Sequence, residues 1–444
     1  MHFNNNLNDV NMRYPLLFIS ILFYVSGYAY EMLSDTIPNS LVYPNTVHTY
    51  KVSIPEGYDG NTPACLYVGL DGPLYHAPDV IDSLIKAGDM PITIGVYFQP
   101  GEVKDMYGKT VRYNRSNEYD AIDGRLARFI ETELLPAASR LTTADGRRVC
   151  ISDNPDCRAI SGASSGGIGS FVVAWQRPDL FRRVFTTCGT YVSMRGGDLL
   201  PAIVRKTEPL PLRMFIHDGS KDAWNPLFGH WFEQNQLLAS SLKFAGYDID
   251  CRWDDTGHSI IPGTRLFPDV MKWLWRDYPR SLTPGNTANN FITPLLEGET
   301  GWQLDTTTVV IPAQTTVVYP DSSYIVKVLP GSQWLQTANI DTPHIWQNTY
   351  LLHDMTFTDP GVVGMAFDYD GNLYVATSMG IQIADQNGRV RAILRYPFHA
   401  TPVAFQFNDN TLYIQLEDKV YSRSIKATAA PLHKKINVKS QGPS

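Results

Sequence analysis

The stretch Arg158-Ala-Ile-Ser-Gly-Ala-Ser-Ser-Gly-Gly-Ile-Gly-Ser170 decides the fold of this 444-residue chain. Its centre, Gly162-Ala-Ser-Ser-Gly166, fits the pattern Gly-x-Ser-x-Gly. An apolar, strand-like run from Val149 to Ile160, broken by a polar loop, precedes it, and a helix-like run from Ile168 to Gln176 follows. This order of strand, tight turn and helix predicts a nucleophile elbow, in which glycines let the backbone through a cramped turn and Ser164 projects from the edge of a sheet.

The same elbow predicts where a negatively charged oxygen would be stabilised. The amide of Ser165 lies at a helix N-terminus, whose partial positive charge favours an oxyanion. A second amide is expected from the turn after an earlier strand, which favours Gly72 or its neighbour. The chain has no His-Gly-Gly-Gly motif, so Gly72 is predicted from position alone.

Strand-like and helix-like segments alternate over residues 30–280. Short apolar runs predict buried strands, and longer amphipathic runs predict helices. The alternation predicts an α/β fold with a mostly parallel sheet covered on both faces, and the order of serine, acid and histidine given below is that of the α/β-hydrolase fold. The predicted strands besides the elbow strand are Val42–Ile54, Ala64–Leu70, Ile92–Phe98, Val184–Cys188, Leu212–His217 and Asp248–Asp254. The predicted helices are Val80–Lys86, Glu118–Leu135 (ended by Pro136), Ile168–Gln176, Gly229–Ala245 and Arg265–Tyr278.

Polar residues follow two of the later strands, in the order acid and then histidine. The segment Asp218-Gly-Ser-Lys-Asp222 follows one strand, and Gly257-His258 follows the last. Loops at the carboxyl ends of parallel strands converge, so these residues are expected to meet Ser164. A serine needs a base to take its proton, and that histidine needs a carboxylate to orient it. We predict Ser164 as nucleophile, His258 as base and Asp222 as acid, with Asp218 as the alternative acid.

Composition narrows the class of partner. The formal net charge is −7 and no basic cluster is present, which argues against nucleic acid as a partner and favours a small molecule or a neutral glycan. The five cysteines fit no metal-ligand spacing, and neither a metal nor a cofactor is expected. Cys150 and Cys157 flank a turn-like loop that a disulfide between them could staple.

The N-terminal 29 residues have the pattern of a secretory signal peptide. Met12-Arg13 supplies a positive charge, Leu16–Val25 is a short apolar core, and Gly27-Tyr28-Ala29 offers small residues at a cleavage site. No other stretch approaches the length of a membrane span, so none is expected in the mature chain. A secreted or periplasmic location is predicted.

The pattern changes after residue 280. Residues 281–300 have a linker composition, residues 301–425 show short alternating runs typical of an all-β domain, and residues 426–444 are predicted to be a disordered tail. The predicted strands are Thr307–Ile311, Thr315–Tyr319, Ser323–Val328, Val362–Phe367, Leu373–Thr377, Ile381–Ala384, Val390–Leu394, Thr411–Gln415 and Val420–Ser424.

Five motifs in residues 40–280 together resemble the enterochelin esterase-like (putative esterase) family of α/β-hydrolases, which takes in acetyl and feruloyl esterases. The resemblance implies hydrolysis of carboxylic esters through an acyl-serine. It also implies that Asn114, Arg115 and Glu118 contact the substrate, although the same residues suit a helix start capped by Ser116 or Asn117. The motifs are Asn114-Arg-Ser-Asn-Glu-Tyr-Asp120, Ile160-Ser-Gly-Ala-Ser-Ser-Gly-Gly167, Asp218-Gly-Ser-Lys-Asp222, Leu242-Lys-Phe-Ala-Gly-Tyr247 and Gly257-His258.

A second resemblance lies in the β region. Met365-Ala-Phe-Asp-Tyr-Asp-Gly-Asn-Leu-Tyr-Val-Ala-Thr377 and Gly380-Ile-Gln-Ile-Ala-Asp-Gln-Asn-Gly-Arg-Val390 resemble a blade of the SMP-30/gluconolactonase-like β-propellers. A closed propeller of that kind needs about twice the available length, at about 40–50 residues per blade. We therefore expect a partial propeller-like or sandwich domain with an accessory role.

The leading hypothesis from the sequence is an exported serine esterase. Its substrates would be acetyl- or feruloyl-type esters of carbohydrates, or siderophore-like esters. One alternative is a non-catalytic glycan-binding protein on a hydrolase scaffold, and another is a metal-dependent lactonase in the β domain. The predicted Ser164, Asp222 and His258 favour the esterase, because a scaffold alone requires none of them.

Overall fold

The computed structural model describes residues 30–298, 301–306, 313–342, 344–355 and 359–431. The predicted signal peptide, the predicted strand at 307–311 and most of the predicted tail lie outside the described residues. Residues 426–431 do belong to the described part, where backbone hydrogen bonds join Lys426 to Leu295, Ala429 to Asp409 and Ala430 to Phe367. Within the described residues, no helix combines the length and the apolar character needed to cross a membrane.

An eight-stranded sheet forms the centre of the first domain, in the order β1-β2-β4-β3-β7-β8-β9-β12. The pairings β1–β2 and β2–β4 are antiparallel, and all pairings from β4 to β12 are parallel. The mostly parallel sheet expected from the sequence is therefore present. The strands of this domain, including two small hairpins, are β1 Tyr30–Ile37, β2 His48–Pro55, β3 Cys65–Leu70, β4 Thr93–Phe98, β5 Glu102–Lys104, β6 Thr110–Tyr113, β7 Arg158–Ala163, β8 Arg183–Thr187, β9 Arg213–Gly219, β10 Trp224–Asn225, β11 Gly229–His230 and β12 Asp248–Asp254.

Helices cover both faces of this sheet. Neighbouring residues of a strand point to opposite faces, so Val68 packs with Phe171 on one side while Tyr67 packs with Phe267 on the other. Both clusters are apolar, which explains why the central strands read as continuous apolar runs. The helices are α1 Ala77–Ala87, α2 Arg115–Tyr119, α3 Arg125–Phe129, α4 Leu135–Ala138, α5 Ser165–Gln176, α6 Leu200–Lys206, α7 Trp231–Phe244, α8 Ile261–Trp275 and α9 Ile292–Leu295.

The single helix predicted over Glu118–Leu135 is wrong. The chain leaves the helix after Tyr119 and starts α3 at Arg125, because Asp123 Oδ1 accepts the Arg125 amide at 2.9 Å. A π-helical turn then joins α3 to α4, whose first turn contains Pro136. Pro136 thus lies in the first turn of a short helix instead of ending a long one.

The disulfide that Cys150 and Cys157 could have formed is absent, since all five cysteines are free. Cys150 packs with the hydrophobic cluster on one side of the sheet, whereas Cys157 belongs to the cluster on the other side. Cys157 Sγ lies 3.4 Å from the hydroxyl of Tyr278. Two thiols on opposite faces of a sheet cannot approach to bonding distance.

In the described residues after 301, which we call the second domain, the strands form three four-stranded antiparallel sheets. The first strand of the domain, β13, pairs with the last, β24, so the two ends of this region share one sheet. The propeller resemblance stays a prediction. The strands are β13 Gln303–Asp305, β14 Thr316–Val318, β15 Tyr324–Val328, β16 Trp334–Asn339, β17 Ile345–Tyr350, β18 Gly364–Phe367, β19 Leu373–Thr377, β20 Gly380–Ala384, β21 Val390–Leu394, β22 Pro402–Asn408, β23 Thr411–Leu416 and β24 Lys419–Ser424.

Polar contacts join the two domains. Glu208 forms an ion pair with Arg423 at 2.9 Å and accepts the amide of Arg395 at 2.8 Å. The predicted linker is packed into the same region, because buried Asn289 donates to the carbonyl oxygens of Arg205 and Arg391. The linker composition is therefore compatible with an ordered connection held by both domains.

Candidate active site

Ser164 stands at the turn between β7 and α5 in a strained conformation. Its backbone angles are φ 57° and ψ −122°, a region that costs a non-glycine residue about 1–3 kcal/mol. The turn leaves no room for larger neighbours, because a Cβ on Gly162 would lie 2.3 Å from the carbonyl oxygen of Gly166. The Gly-x-Ser-x-Gly pattern therefore has the steric role that an elbow demands.

The three residues predicted from strand order meet at one edge of the sheet. Ser164 Oγ lies 2.9 Å from His258 Nε2, and His258 Nδ1 lies 2.6 Å from Asp222 Oδ1. Asp222 has a buried side chain, whereas that of His258 is 37% exposed. The arrangement joins a hydroxyl, an imidazole and a buried carboxylate in one line, which is the geometry of a serine nucleophile activated by a base.

Of the two candidate acids, Asp222 is the one against His258. Burial alone would raise the pKa of Asp222, but hydrogen bonds from His258, Asp218 and the Ala223 amide hold that pKa below its ordinary value. Asp222 is therefore ionised at neutral pH and accepts from His258 Nδ1–H. The other imidazole nitrogen, Nε2, is left without a proton and can accept the hydrogen of Ser164.

The carboxyl group of Asp218 lies next to the carboxyl group of Asp222. Its Oδ1 accepts the amide of Gly219 at 2.8 Å, and its buried Oδ2 has no protein N–H donor, as is also true of Asp222 Oδ2. Burial, the hydrogen bond to Asp222 and its charge raise the pKa of Asp218 to about 9. Two carboxyl groups that share a hydrogen bond need one proton between them, and Asp218 holds it.

One of the two predicted oxyanion donors is not available. The Gly72 amide donates to the carbonyl oxygen of Phe98 at 3.0 Å, and the next residue, Pro73, has no N–H. The prediction is therefore wrong for Gly72, whose amide bonds to β4, and for Pro73, whereas for the other neighbour, Asp71, it stays a prediction. Ser165 is the first residue of α5, where an amide has no partner within the helix.

The residues predicted to contact substrate have other partners. Glu118 is 1% exposed and accepts from His48 Nε2 at 3.1 Å, from the Gly101 amide and from Asn114 Nδ2 at 2.7 Å. Asn114 is itself buried. For these two residues the substrate-contact prediction is wrong, because a buried carboxylate and its buried amide partner hold the chain before α2 in place. Neither Ser116 nor Asn117 caps that helix, which begins after Asn114.

Arg115 is half-buried and binds Asp71 through two parallel hydrogen bonds. Arg115 Nε and Nη2 each lie 2.7 Å from an oxygen of Asp71, and Nη2 also donates to the carbonyl oxygen of Ala163 at 3.2 Å. Asp71 in turn lies at the start of α5, since a Cβ on Gly166 would be 3.0 Å from its Oδ2. Arg115 thus neutralises this carboxylate beside the elbow and braces the residue before Ser164.

We expect Glu118→Ala to lower the free energy of unfolding by about 3–5 kcal/mol, because it leaves a buried imidazole and a buried amide without their acceptor. Urea unfolding followed by fluorescence measures this change. Glu102→Ala, on the exposed β5–β6 hairpin, is the control and should change stability by less than about 1 kcal/mol. A Glu118→Ala protein of unchanged stability and raised KM would instead restore the substrate-contact interpretation.

Two residues of the site have no counterpart in the sequence prediction. Thr190 Oγ1 lies 3.2 Å from Ser164 Oγ, and Trp231 Nε1 lies 3.2 Å from Thr190 Oγ1. Thr190 comes shortly after β8, the strand next to the elbow strand, so the rule that loops at carboxyl strand ends converge could have located it. Trp231 opens α7 and carries no such signal.

Comparison with known proteins agrees with this geometry. Residues 43–254 match the family described as putative esterase. The iron(III) enterobactin esterase of Dickeya dadantii is 28% identical over 178 residues, which cover 35% of this chain and 39% of that protein. The chain thus spans well under half the length of this curated relative. A carboxylic ester hydrolase is the class of enzyme that these similarities support.

Solved structures of esterases also resemble part of the chain. A ferulic acid esterase has 17% sequence identity and a TM-score of 0.43, with 56% of this chain and 99% of that chain covered. The enterobactin esterase from Shigella flexneri, in the presence of enterobactin, has 19% identity and a TM-score of 0.43, with 55% of this chain and 59% of that chain covered. In both comparisons the matched part is a little over half of the present chain.

Proposed function

We propose that this chain is an exported serine esterase, with Ser164 as nucleophile, His258 as general base and Asp222 as the acid that orients His258. The observation that carries the proposal is the hydrogen-bonded line from Asp222 through His258 to Ser164 at a strained elbow. In the first step Ser164 Oγ bonds to the ester carbonyl carbon while its proton passes to His258 Nε2. The histidine then returns that proton to the departing alcohol.

The resulting acyl-serine is hydrolysed by the reverse sequence. His258 takes a proton from water, the hydroxide oxygen bonds to the acyl carbon, and Ser164 leaves with the proton that His258 carries. The amide of Ser165 at the start of α5 supports the oxyanion in both steps, because its dipole is oriented before charge develops. Asp222 stabilises the imidazolium that forms in each step.

The proposed substrates are feruloyl- or acetyl-type esters of carbohydrates and enterobactin-type esters. Support comes from the sequence relative named as an iron(III) enterobactin esterase and from the putative esterase family match. Exposed Trp224 begins the β10–β11 hairpin two residues after Asp222 and offers an aromatic surface close in sequence to the acid. Aromatic rings pack well against other rings, which suits an aromatic acyl group.

Hydrolysis of methyl ferulate, 4-nitrophenyl acetate and enterobactin by the wild type and by Ser164→Ala tests the proposal, with and without a chelator. Activity on at least one ester that resists the chelator and disappears in Ser164→Ala would support the esterase. Chelator-sensitive activity that persists in Ser164→Ala would contradict it and favour a metal-dependent lactonase. Binding of acylated glycans without turnover would favour the non-catalytic alternative.

A further inference from the structure

Among the described residues, two side chains lie within hydrogen-bond distance of Ser164 Oγ, and one of them, Thr190, is not part of the predicted triad. His258 Nε2 lies 2.9 Å from Ser164 Oγ, and Thr190 Oγ1 lies 3.2 Å from the same oxygen. Thr190 is 2% exposed, and its amide donates to the carbonyl oxygen of Ser164 at 3.1 Å. Backbone and side chain of Thr190 therefore both contact the nucleophile residue.

Thr190 is held by the start of α7. Trp231 Nε1 donates to Thr190 Oγ1 at 3.2 Å, and Asn235 Nδ2, one turn further on, donates to the carbonyl oxygen of Gly189 at 2.8 Å. The Trp231 ring also packs edge-on against the ring of His258, with 6.1 Å between centroids. One helix end therefore fixes both groups that contact Ser164 Oγ.

The hydrogen bonds that run from Trp231 through Thr190 and Ser164 to His258 allow one consistent assignment of donors and acceptors. An indole N–H can only donate, so Thr190 Oγ1 is the acceptor from Trp231. His258 donates from Nδ1 to ionised Asp222, so its Nε2 must accept the hydrogen of Ser164. The hydroxyl hydrogen of Thr190 then points to Ser164 Oγ, which is its remaining partner.

We propose that Thr190 is a further catalytic residue, whose hydroxyl donates to Ser164 Oγ and keeps the hydrogen of Ser164 directed at His258. The role rests on the proposed ester hydrolysis at Ser164. When the Oγ–H bond breaks and the proton moves to Nε2, negative charge gathers on Oγ before its bond to the carbonyl carbon is complete. A hydrogen bond to a charged oxygen is stronger than one to a neutral oxygen, so Thr190 stabilises that stage more than the resting enzyme.

Thr190→Val and Thr190→Ser test the role, because valine keeps the shape without the hydroxyl and serine keeps the hydroxyl. Two rates are measured: kcat with the best aryl ester, and the rate at which an alkyl fluorophosphonate modifies Ser164, followed by intact-protein mass. We expect Thr190→Val to lower both rates about 10- to 100-fold with KM nearly unchanged, and Thr190→Ser to stay within about threefold of the wild type. Thr207→Val, an equally buried threonine beside the second domain, is the control and should match the wild type.

Three results would overturn the proposal. Thr190→Val could react as fast as the wild type, which would show that the hydroxyl contributes nothing. Thr190→Ser could be as slow as Thr190→Val, which would show a packing role alone. A wild-type protein whose Ser164 does not react with the fluorophosphonate would contradict the proposed esterase itself, and with it the role of Thr190.

Trp231→Phe gives an independent measurement should Thr190→Val not fold. Phenylalanine keeps a ring against His258 but has no N–H for Thr190 Oγ1, so the hydroxyl of Thr190 loses its fixed direction. We expect kcat and the fluorophosphonate rate to fall together, by about 2- to 10-fold, as for loss of one neutral hydrogen bond. Unchanged rates in a folded Trp231→Phe protein would contradict the proposed order of hydrogen bonds from Trp231 to Ser164.

Discussion

Ser164→Ala is expected to lower kcat on a carboxylic ester by about 10⁴- to 10⁶-fold, because it removes the oxygen that we propose as the nucleophile. Some rate above water should persist, since the Ser165 amide still stabilises an oxyanion. Initial rates over a range of substrate concentrations measure the change. Relief of the strained backbone at Ser164 is not expected in this variant, because alanine has the same Cβ, so its stability should stay close to that of the wild type.

Ser170→Ala is the control for this measurement. Ser170 lies in the same helix, α5, and its hydroxyl donates to the Gly167 carbonyl oxygen at 2.8 Å, away from the triad. It should keep kcat within about threefold of the wild type, as expected for loss of a local hydrogen bond outside the site. Full activity of Ser164→Ala would contradict the assignment of the elbow serine.

Asp222→Asn and Asp218→Asn are expected to have opposite outcomes although the two residues are neighbours. Asp222→Asn should lower kcat about 10³- to 10⁴-fold, because an amide facing His258 Nδ1 favours the wrong tautomer of the imidazole. Asp218→Asn should keep kcat within about threefold, because an amide N–H replaces the carboxyl O–H that donates to Asp222. Loss of activity in Asp218→Asn alone would make Asp218 the working acid.

The proton shared by Asp218 and Asp222 predicts how the free energy of unfolding depends on pH. The pKa of Asp218 is about 9 in the folded protein, whereas in the unfolded chain it is near its ordinary value of 3.8. Between these values the folded state holds one more proton, so the contribution of Asp218 to the free energy of unfolding falls as pH rises, by at most about 1.4 kcal/mol per pH unit. Asp218→Asn cannot titrate and should lose this slope.

Urea unfolding at several pH values from 5 to about 9 measures that difference. The expected result is that the stability of Asp218→Asn, relative to the wild type, increases towards alkaline pH. Parallel stability curves for the two proteins would show that Asp218 is ionised in the folded state and would contradict the shared proton.

The meeting of Ser164, Asp222 and His258 could be predicted from the sequence because the signals for it are local. Gly162 and Gly166 mark the elbow, and Asp222 and His258 follow apolar strands whose carboxyl ends must converge. The roles that failed depend on partners distant in sequence. Whether the Gly72 amide is free depends on the register between β3 and β4. No residue near Gly72 in the sequence indicates that Phe98 is its acceptor.

The burial of polar residues could not be predicted from the sequence either. Asn114 and Glu118 resemble exposed substrate contacts in the sequence, but Glu118 pairs with His48, 70 positions away. In the β domain, strands such as Trp334–Asn339 lack a clean alternation of apolar residues and were missed, whereas Leu373–Thr377 was located to the residue. The contact between Thr190 and Trp231 joins the loop after β8 to the first residue of α7, and no sequence signal marks Trp231 for it.

The most direct test of the account is to trap the acyl-enzyme. The wild type is mixed with a 4-nitrophenyl ester, quenched in acid within the first turnovers, digested and analysed by peptide mass. The account predicts that the peptide containing Ser164 gains the mass of the acyl group, and that the gain is absent in Ser164→Ala. An acyl group on another residue, or hydrolysis that proceeds in Ser164→Ala without any acylated peptide, would contradict it.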